Sequence, residues 1–424
     1  MTQPGQPGSG ALPAAVRADV ENLLAPVDEH LAAAYPGPRP VRQPVHTVYV
    51  PADRYRAGLA LDWGRQALAQ LDDAGGMEAL LEAAGVRAEL RPAVGEKVRA
   101  KLATEPIEDL RIDFEDGYGD RGKAEDDDVA AAAKHLRAEV EAGQATPFVG
   151  IRFKCLERAT RDRGIRTLEL FLSHLAGSGE LPAGLHLTLP KVSDPAQVQA
   201  MSRICNGLEE ALGLPAGRLR FEVQVETPQA ILGADGTALV ARMIRAGAGR
   251  VSALHYGTYD YSASLGIAGA YQAMDHRSAD HAKAVMQLAA AGTGVWLSDG
   301  SSNILPTGPL AQVREAWAGH ARLVRRSLES GFYQGWDLHP GQLLTRFAAT
   351  YAFYREGLDD AAHRLGAYLA QPGAAEAGAV LDEPATAKAL AWFLLRGLDC
   401  GAIDTGDLDP CGLGRENLLH LAGA

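Results

Sequence analysis

Cysteine is scarce in this chain: 424 residues carry four, Cys155, Cys205, Cys400 and Cys411, widely scattered and never as a CxxC pair. That excludes a disulfide scaffold and a cysteine-rich zinc site, and it points to reduced thiols in a cytoplasmic setting. Long apolar runs are absent as well; none approaches the roughly 20 residues of a membrane span. Basic residues fall short of acidic ones, 41 against 53, for a formal charge of -12. Phosphate binding calls for a basic face, so nucleic acid is not an expected partner. Residues 1–14 are rich in Gly, Pro and Gln and lack the basic-then-apolar order of a signal peptide, so they read as a flexible tail.

What is present is a rhythm. Residues 15–34 have helical spacing, and Pro36, Pro38 and Pro40 mark a stiff linker, so residues 1–40 form a tail and an N-terminal helix. Beyond them, short β-branched and aliphatic runs alternate with longer Ala/Leu/Glu/Arg-rich helical stretches. The runs are residues 46–51, 109–116, 147–153, 185–191, 220–226, 251–256, 294–299 and 333–339. Helical stretches such as residues 195–212 and 280–291 fall between them. Eight strand–helix units predict a (β/α)8 barrel over residues 41–345. The competitor is a doubly wound open sheet, which usually carries a Gly-rich turn after its first strand; Pro51-Ala52-Asp53 is not one. Residues 346–424 are helical only, with segments at 347–354, 359–368 and 385–398, and form a C-terminal extension.

In such a barrel the active site lies where the strands end. Those ends carry Asp113-Phe114-Glu115-Asp116-Gly117, Arg152, Lys191, Glu226, Gly257-Thr258-Tyr259-Asp260, Asp299 and His339. Glu226 and Asp260 stand on consecutive strand ends. Two carboxylates with water completing the shell is an arrangement that Mg²⁺ or Mn²⁺ accepts; for either residue alone, a salt bridge is the competing role. Arg152 offers a fork of donors for a carboxylate or thioester oxygen, or pairs internally with Glu115 or Asp116. Lys191 is a Schiff-base nucleophile if desolvated, and otherwise balances charge. Gly257, Thr258, Asp299 and His339 complete the substrate-facing set. His255, inside a strand, reads as a satisfied core group.

Taken in order, these motifs resemble the citrate lyase β-subunit/malyl-CoA lyase branch of the metal-dependent hydroxy-keto-acid aldolases. The family's Leu-Glu-Asp-Ala element is similar to Phe114-Glu115-Asp116-Gly117, and its arginine-bearing strand to Ile151-Arg152-Phe153. Its Leu-Pro-Lys-Val element stands unchanged at Leu189-Pro190-Lys191-Val192, and its Glu-Thr pair at Glu226-Thr227. Gly257 to Asp260, running on to Leu265-Gly266, resembles its next segment, and Leu338-His339-Pro340-Gly341-Gln342 its Ile-His-Pro motif. The set covers roughly residues 46–398.

The resemblance implies a TIM barrel, Mg²⁺ on Glu226 and Asp260, and a homo-oligomer, a trimer or hexamer. It also makes Asp382, in Leu381-Asp382-Glu383-Pro384, a proton donor or base that reaches a neighbouring subunit's site; as sequence alone, Asp382 is equally a helix N-cap. Glu115 and Asp116 are the fallback proton carriers. The expected activity is carbon–carbon cleavage or formation of a 3-hydroxy acid or its coenzyme A thioester, with a keto acid and an acyl-CoA as partners. An aldolase on free 2-keto acids, a malate-synthase-like condensing enzyme and a non-catalytic acid-binding barrel remain as alternatives.

Overall fold

A computed structural model describes residues 12–177, 179–370 and 383–423; the flexible tail expected over residues 1–14 falls mostly outside them. The eight strands are β1 (His46–Pro51), β2 (Asp109–Asp113), β3 (Phe148–Arg152), β4 (Leu185–Leu189), β5 (Phe221–Val225), β6 (Val251–Tyr256), β7 (Trp296–Ser298) and β8 (Gly335–Asp337). All pair in parallel, in the order β7-β6-β5-β4-β3-β2-β1-β8, and a bridge between Ser298 and Gln334 joins β7 to β8. The sheet is therefore closed, a (β/α)8 barrel.

Helices wrap it. They are α1 (Ala14–Ala34), α2 (Leu59–Asp73), α3 (Gly76–Ala83), α4 (Arg91–Thr104), α5 (Ala124–Glu141), α6 (Arg161–Ala176), α7 (Pro195–Leu212) and α8 (Pro228–Ile231). After these come α9 (Leu239–Ala246), α10 (Thr258–Ser264), α11 (Arg277–Ala290), α12 (Leu310–Glu329), α13 (Pro340–Ala370), α14 (Pro384–Asp399) and α15 (Arg415–Ala422). Local chemistry sets their ends. In α7, Asp194 caps the first turn with Gln197 closing a capping box, and left-handed Gly213 ends the last turn.

Strand alternation fills the barrel with polar as well as apolar groups. On β2 the residues Asp109, Arg111 and Asp113 share one face, as do Glu222 on β5 and Glu226 just past its end. Arg111 reaches across the interior to Glu222 (Nη2 to Oε2, 2.8 Å) and also binds Asp109 and Thr188. His255 completes this buried layer, with Nε2 3.0 Å from Glu222 and Nδ1 accepting from the Trp336 indole. Gly150 belongs to the same geometry, since a Cβ there would lie 1.6 Å from the His186 carbonyl oxygen.

Three expectations change. The proline-rich linker is a strap, not a spacer: Gly37 donates to Gly292, and Arg39 lies 4.1 Å over the Trp296 ring while donating to Gly294 and Ser252 carbonyls. The separate helices expected at 347–354 and 359–368 are one helix, α13, which starts at Pro340. Gly357 does not break it; it forms a notch for Phe393 of α14, whose ring would stand 2.7 Å from a Cβ there. A boundary at residue 345 therefore falls inside a helix. The four cysteines are unpaired, and no described helix is long and apolar enough to cross a membrane.

Candidate active site

At the C-terminal mouth, the loop after β2 delivers Glu115 and Asp116. Asp113 shapes that loop by accepting from the Glu115 and Gly117 amides, each at 3.0 Å. The same carboxylate receives Arg152 of β3 as a fork, Nε to Oδ1 and Nη2 to Oδ2, both 2.7 Å. Arg152 is therefore anchored chiefly on Asp113 and not, as expected, on Glu115 or Asp116; Glu115 is a second partner, 3.5 Å from Nη1. Tyr49 of β1 lies beneath, its ring 4.7 Å from the guanidinium carbon. Against the cost of burial, the Asp113 charge keeps Arg152 protonated well above its ordinary range.

Lys191 is the hub. Its ammonium pairs with Glu115, lies 2.6 Å from Asp116 and stands 3.6 Å from Asp260. Its backbone sits in the left-handed region at φ 50°, which costs a non-glycine residue about 1 kcal/mol and marks a site held in place by its surroundings. That conformation aims the Lys191 N–H at Glu226 Oε1, 2.7 Å away. The Thr227 hydroxyl donates to Val192 and ties the same two loops together. Against desolvation, the Glu115 and Glu226 charges and the Asp116 hydrogen bond hold the amine well above its usual range. An amine so firmly protonated is a poor Schiff-base nucleophile.

Glu226 is buried, and its carboxyl is pushed up to about 7 by burial, with Asp260 and Glu115 adding and Lys191 and Arg152 opposing. Burial also raises Glu115, whereas Asp116, against its own burial cost, is held down by the Lys191 hydrogen bond. Gly257 is the space Glu226 needs: a Cβ there would lie 2.5 Å from Glu226 Cβ and 2.6 Å from Oε2. Thr258 is buried beside it, with a hydroxyl that has no hydrogen-bond partner among the described residues.

The remaining expected residues stand apart. Asp299 is buried, and its carboxylate accepts from Lys283 (2.9 Å), Ser327 (2.6 Å) and the Gly300 amide. It holds α11 and α12 to the end of β7, and none of these contacts belongs to the carboxylate cluster. His339 accepts the Gly341 amide on Nδ1 and is half-buried, which lowers its pKa; its contact is to its own turn. Asp382 lies outside the described residues. Asp113 and Tyr49 received no role from sequence. The signal available for Asp113 was its alternation with Asp109 and Arg111 on an otherwise apolar strand.

Asp113, Glu115, Asp116, Glu226 and Asp260, if all ionised, set five negative charges against the two positive charges of Arg152 and Lys191. No three acidic, histidine or cysteine side chains form a ready metal cage among the described residues. What the site offers is an oxygen-only pair, Glu226 and Asp260, in an excess of negative charge. That donor set suits a hard divalent cation whose other positions belong to water and substrate.

The family whose profile matches residues 24–423 is DUF6986, a domain of unknown function. The chain belongs to the DUF6986 family. No curated protein matches it. Among solved structures, this DUF6986 chain is similar to a citrate lyase from Burkholderia xenovorans LB400, at 20% identity over 88% of this chain and 98% of that one, with a TM-score of 0.59. The fold expected from the motifs is thus the fold of a citrate lyase. CitE from Mycobacterium tuberculosis, in complex with magnesium, acetoacetate and coenzyme A, matches at 18% identity over 86% and 100% of the two chains, TM-score 0.48. Haloferax volcanii malate synthase, as a magnesium/glyoxylate complex, matches at 13% identity over 81% and 79%, TM-score 0.46.

Proposed function

We propose that this chain is a divalent-metal-dependent carbon–carbon lyase of the aldolase type, acting on a 3-hydroxy acid or its thioester. The observation that carries it is the convergence of Glu115, Asp116, Glu226 and Asp260 around Lys191 at the barrel mouth, beside an anchored arginine. The citrate lyase fold and the ordered motifs support the same reading.

Glu226 and Asp260 would hold Mg²⁺ or Mn²⁺, which when bound supplies Lewis acidity and a template for a keto-acid fragment. A carboxyl near neutrality exchanges its proton for a cation readily, and Glu226 is such a group. In the cleavage direction, a carboxylate of the Glu115–Asp116 pair takes the proton of the 3-hydroxyl. The oxygen's electron pair closes the new carbonyl as the adjacent carbon–carbon bond breaks. The electrons released spread onto the carboxyl or thioester oxygen of the departing fragment, and Arg152 faces that charge with donors already fixed by Asp113. The acquired proton then returns to the carbanionic carbon, which Glu115, raised by burial, is suited to deliver.

Calorimetric titration of chelator-treated protein with Mg²⁺, with and without pyruvate, glyoxylate, oxaloacetate or acetyl-CoA, tests the reading. Metal-dependent binding of a keto acid, abolished by Asp260→Ala, is the expected result. The absence of any metal-dependent binding, or full turnover by Glu226→Ala, would defeat it.

A further inference from the structure

Helix α1 presents an apolar face that the described residues of this chain leave uncovered. None of its residues is buried, and Pro26 interrupts its hydrogen-bond ladder. A proline inside a helix costs about 3 kcal/mol, and in proteins most helical stability comes from packing of an apolar face. Yet α1 carries a stripe of apolar side chains, Val16, Val20, Leu23, Leu24, Val27 and Leu31, exposed by between 41% (Val16) and 72% (Leu23). At about 100° per residue they occupy one face, roughly 100° wide.

The spacing of that stripe is palindromic: successive gaps of 4, 3, 1, 3 and 4 residues read the same from either end. A two-fold axis across a helix requires such self-complementarity, because each position must meet its own mirror in the other copy. With the axis between Leu23 and Leu24, Val16 faces the partner's Leu31, Val20 the partner's Val27 and Leu23 the partner's Leu24. The flanking charges agree. Arg17 and Asp28 lie on one edge of the stripe, and Asp19 and His30 on the other. Antiparallel pairing brings Arg17 near the partner's Asp28 and Asp19 near the partner's His30, each twice by symmetry. The palindrome selects this direction, because only an antiparallel pair centred between Leu23 and Leu24 matches every position of the stripe with an apolar one at a different number.

We propose that α1 is a homodimerisation helix that pairs antiparallel with α1 of a second copy of this chain. A two-helix contact of this length falls near the lower bound of specific interfaces, about 1,000 Å², so the association is reversible. Sedimentation of the full chain across a micromolar range, beside Leu23→Glu/Leu24→Glu, tests it. The wild-type assembly should have twice the mass of the double variant, whose circular dichroism stays that of the folded barrel because both positions are exposed on the single chain. A monomeric wild type, or an assembly whose mass the double variant leaves unchanged, overturns the proposal. The pairing direction is read by oxidation. Val16→Cys should crosslink to Leu31→Cys in a mixture of the two proteins and fail to crosslink to itself; self-crosslinking of Val16→Cys overturns the antiparallel arrangement.

Discussion

Arg152 grips Asp113 with two parallel contacts of 2.7 Å, and the same aspartate shapes the loop that carries Glu115 and Asp116. One carboxylate thus orients both the cationic and the acidic side of the site. Asp113→Ala should leave a buried guanidinium without its main partner and cost about 3–5 kcal/mol in chemical denaturation. Arg152→Lys preserves charge but not the fork. It should reduce turnover of whichever hydroxy acid is identified by about a hundredfold with a smaller loss of stability. Equal activity in Arg152→Lys would remove Arg152 from the chemistry.

Gly257→Ala isolates a steric requirement. Its backbone, at φ -100°, accepts alanine, but the added methyl would lie 2.6 Å from Glu226 Oε2. The carboxylate must move, so Mg²⁺ affinity in calorimetry should fall at least tenfold, about 1.4 kcal/mol, while the barrel's circular dichroism is unchanged. Wild-type affinity would mean that Glu226 is not a ligand in this position.

Asp260 gives the complementary case. Its side chain is about half exposed (46%), so Asp260→Ala should change stability by no more than about 0.5 kcal/mol. Metal-dependent heat should nonetheless disappear. Loss of fold together with binding would reassign Asp260 to structure.

Glu226 also makes stability depend on pH. Its carboxyl is held at about 7 in the folded protein against an ordinary 4.5, so the folded state binds this proton more tightly than the unfolded chain does. The contribution is full below the unfolded value and is lost as pH rises through about 7; a shift of this size corresponds to about 3 kcal/mol. Without metal, the melting temperature should therefore fall across that window, and Glu226→Gln should flatten the fall. Added Mg²⁺ should oppose it at the alkaline end, where the ionised carboxylate is free to bind. A wild-type profile as flat as that of the variant would place the proton elsewhere.

The barrel was legible because each strand is a short apolar or alternating run between helical stretches, and β1 and β6 match their expected limits of 46–51 and 251–256. Most other runs overshoot. Residues 114–116, Lys191, Glu226, Asp299 and His339 continue the pattern but lie past the strand ends, which is why they reach the mouth. Convergence of Glu115, Asp116, Lys191, Glu226 and Asp260 followed from topology alone. The partner of Arg152 did not, because periodicity places side chains on a face without saying which pair will close. The partners of Asp299 did not either, for a related reason. A strand end specifies height along the barrel, whereas Lys283 and Ser327 decide the direction in which the carboxylate turns. The helices between β1 and β2 carry no strand-like signal, and the buried Arg111–Glu222–His255 layer is visible only as polar residues at alternate positions.

Helix α13 begins beside the barrel mouth, right after β8, and at 31 residues runs for about 46 Å. Its first turns line the barrel with Leu343, Leu344 and Phe347, and its later ones seat the terminal helices through Tyr354, Gly357 and Arg355. It is at once the last stave of the barrel and the mast of the appendage. No cut separates the two: a chain ended near residue 345 would take away the helix that closes the barrel wall and the seat of α14 together.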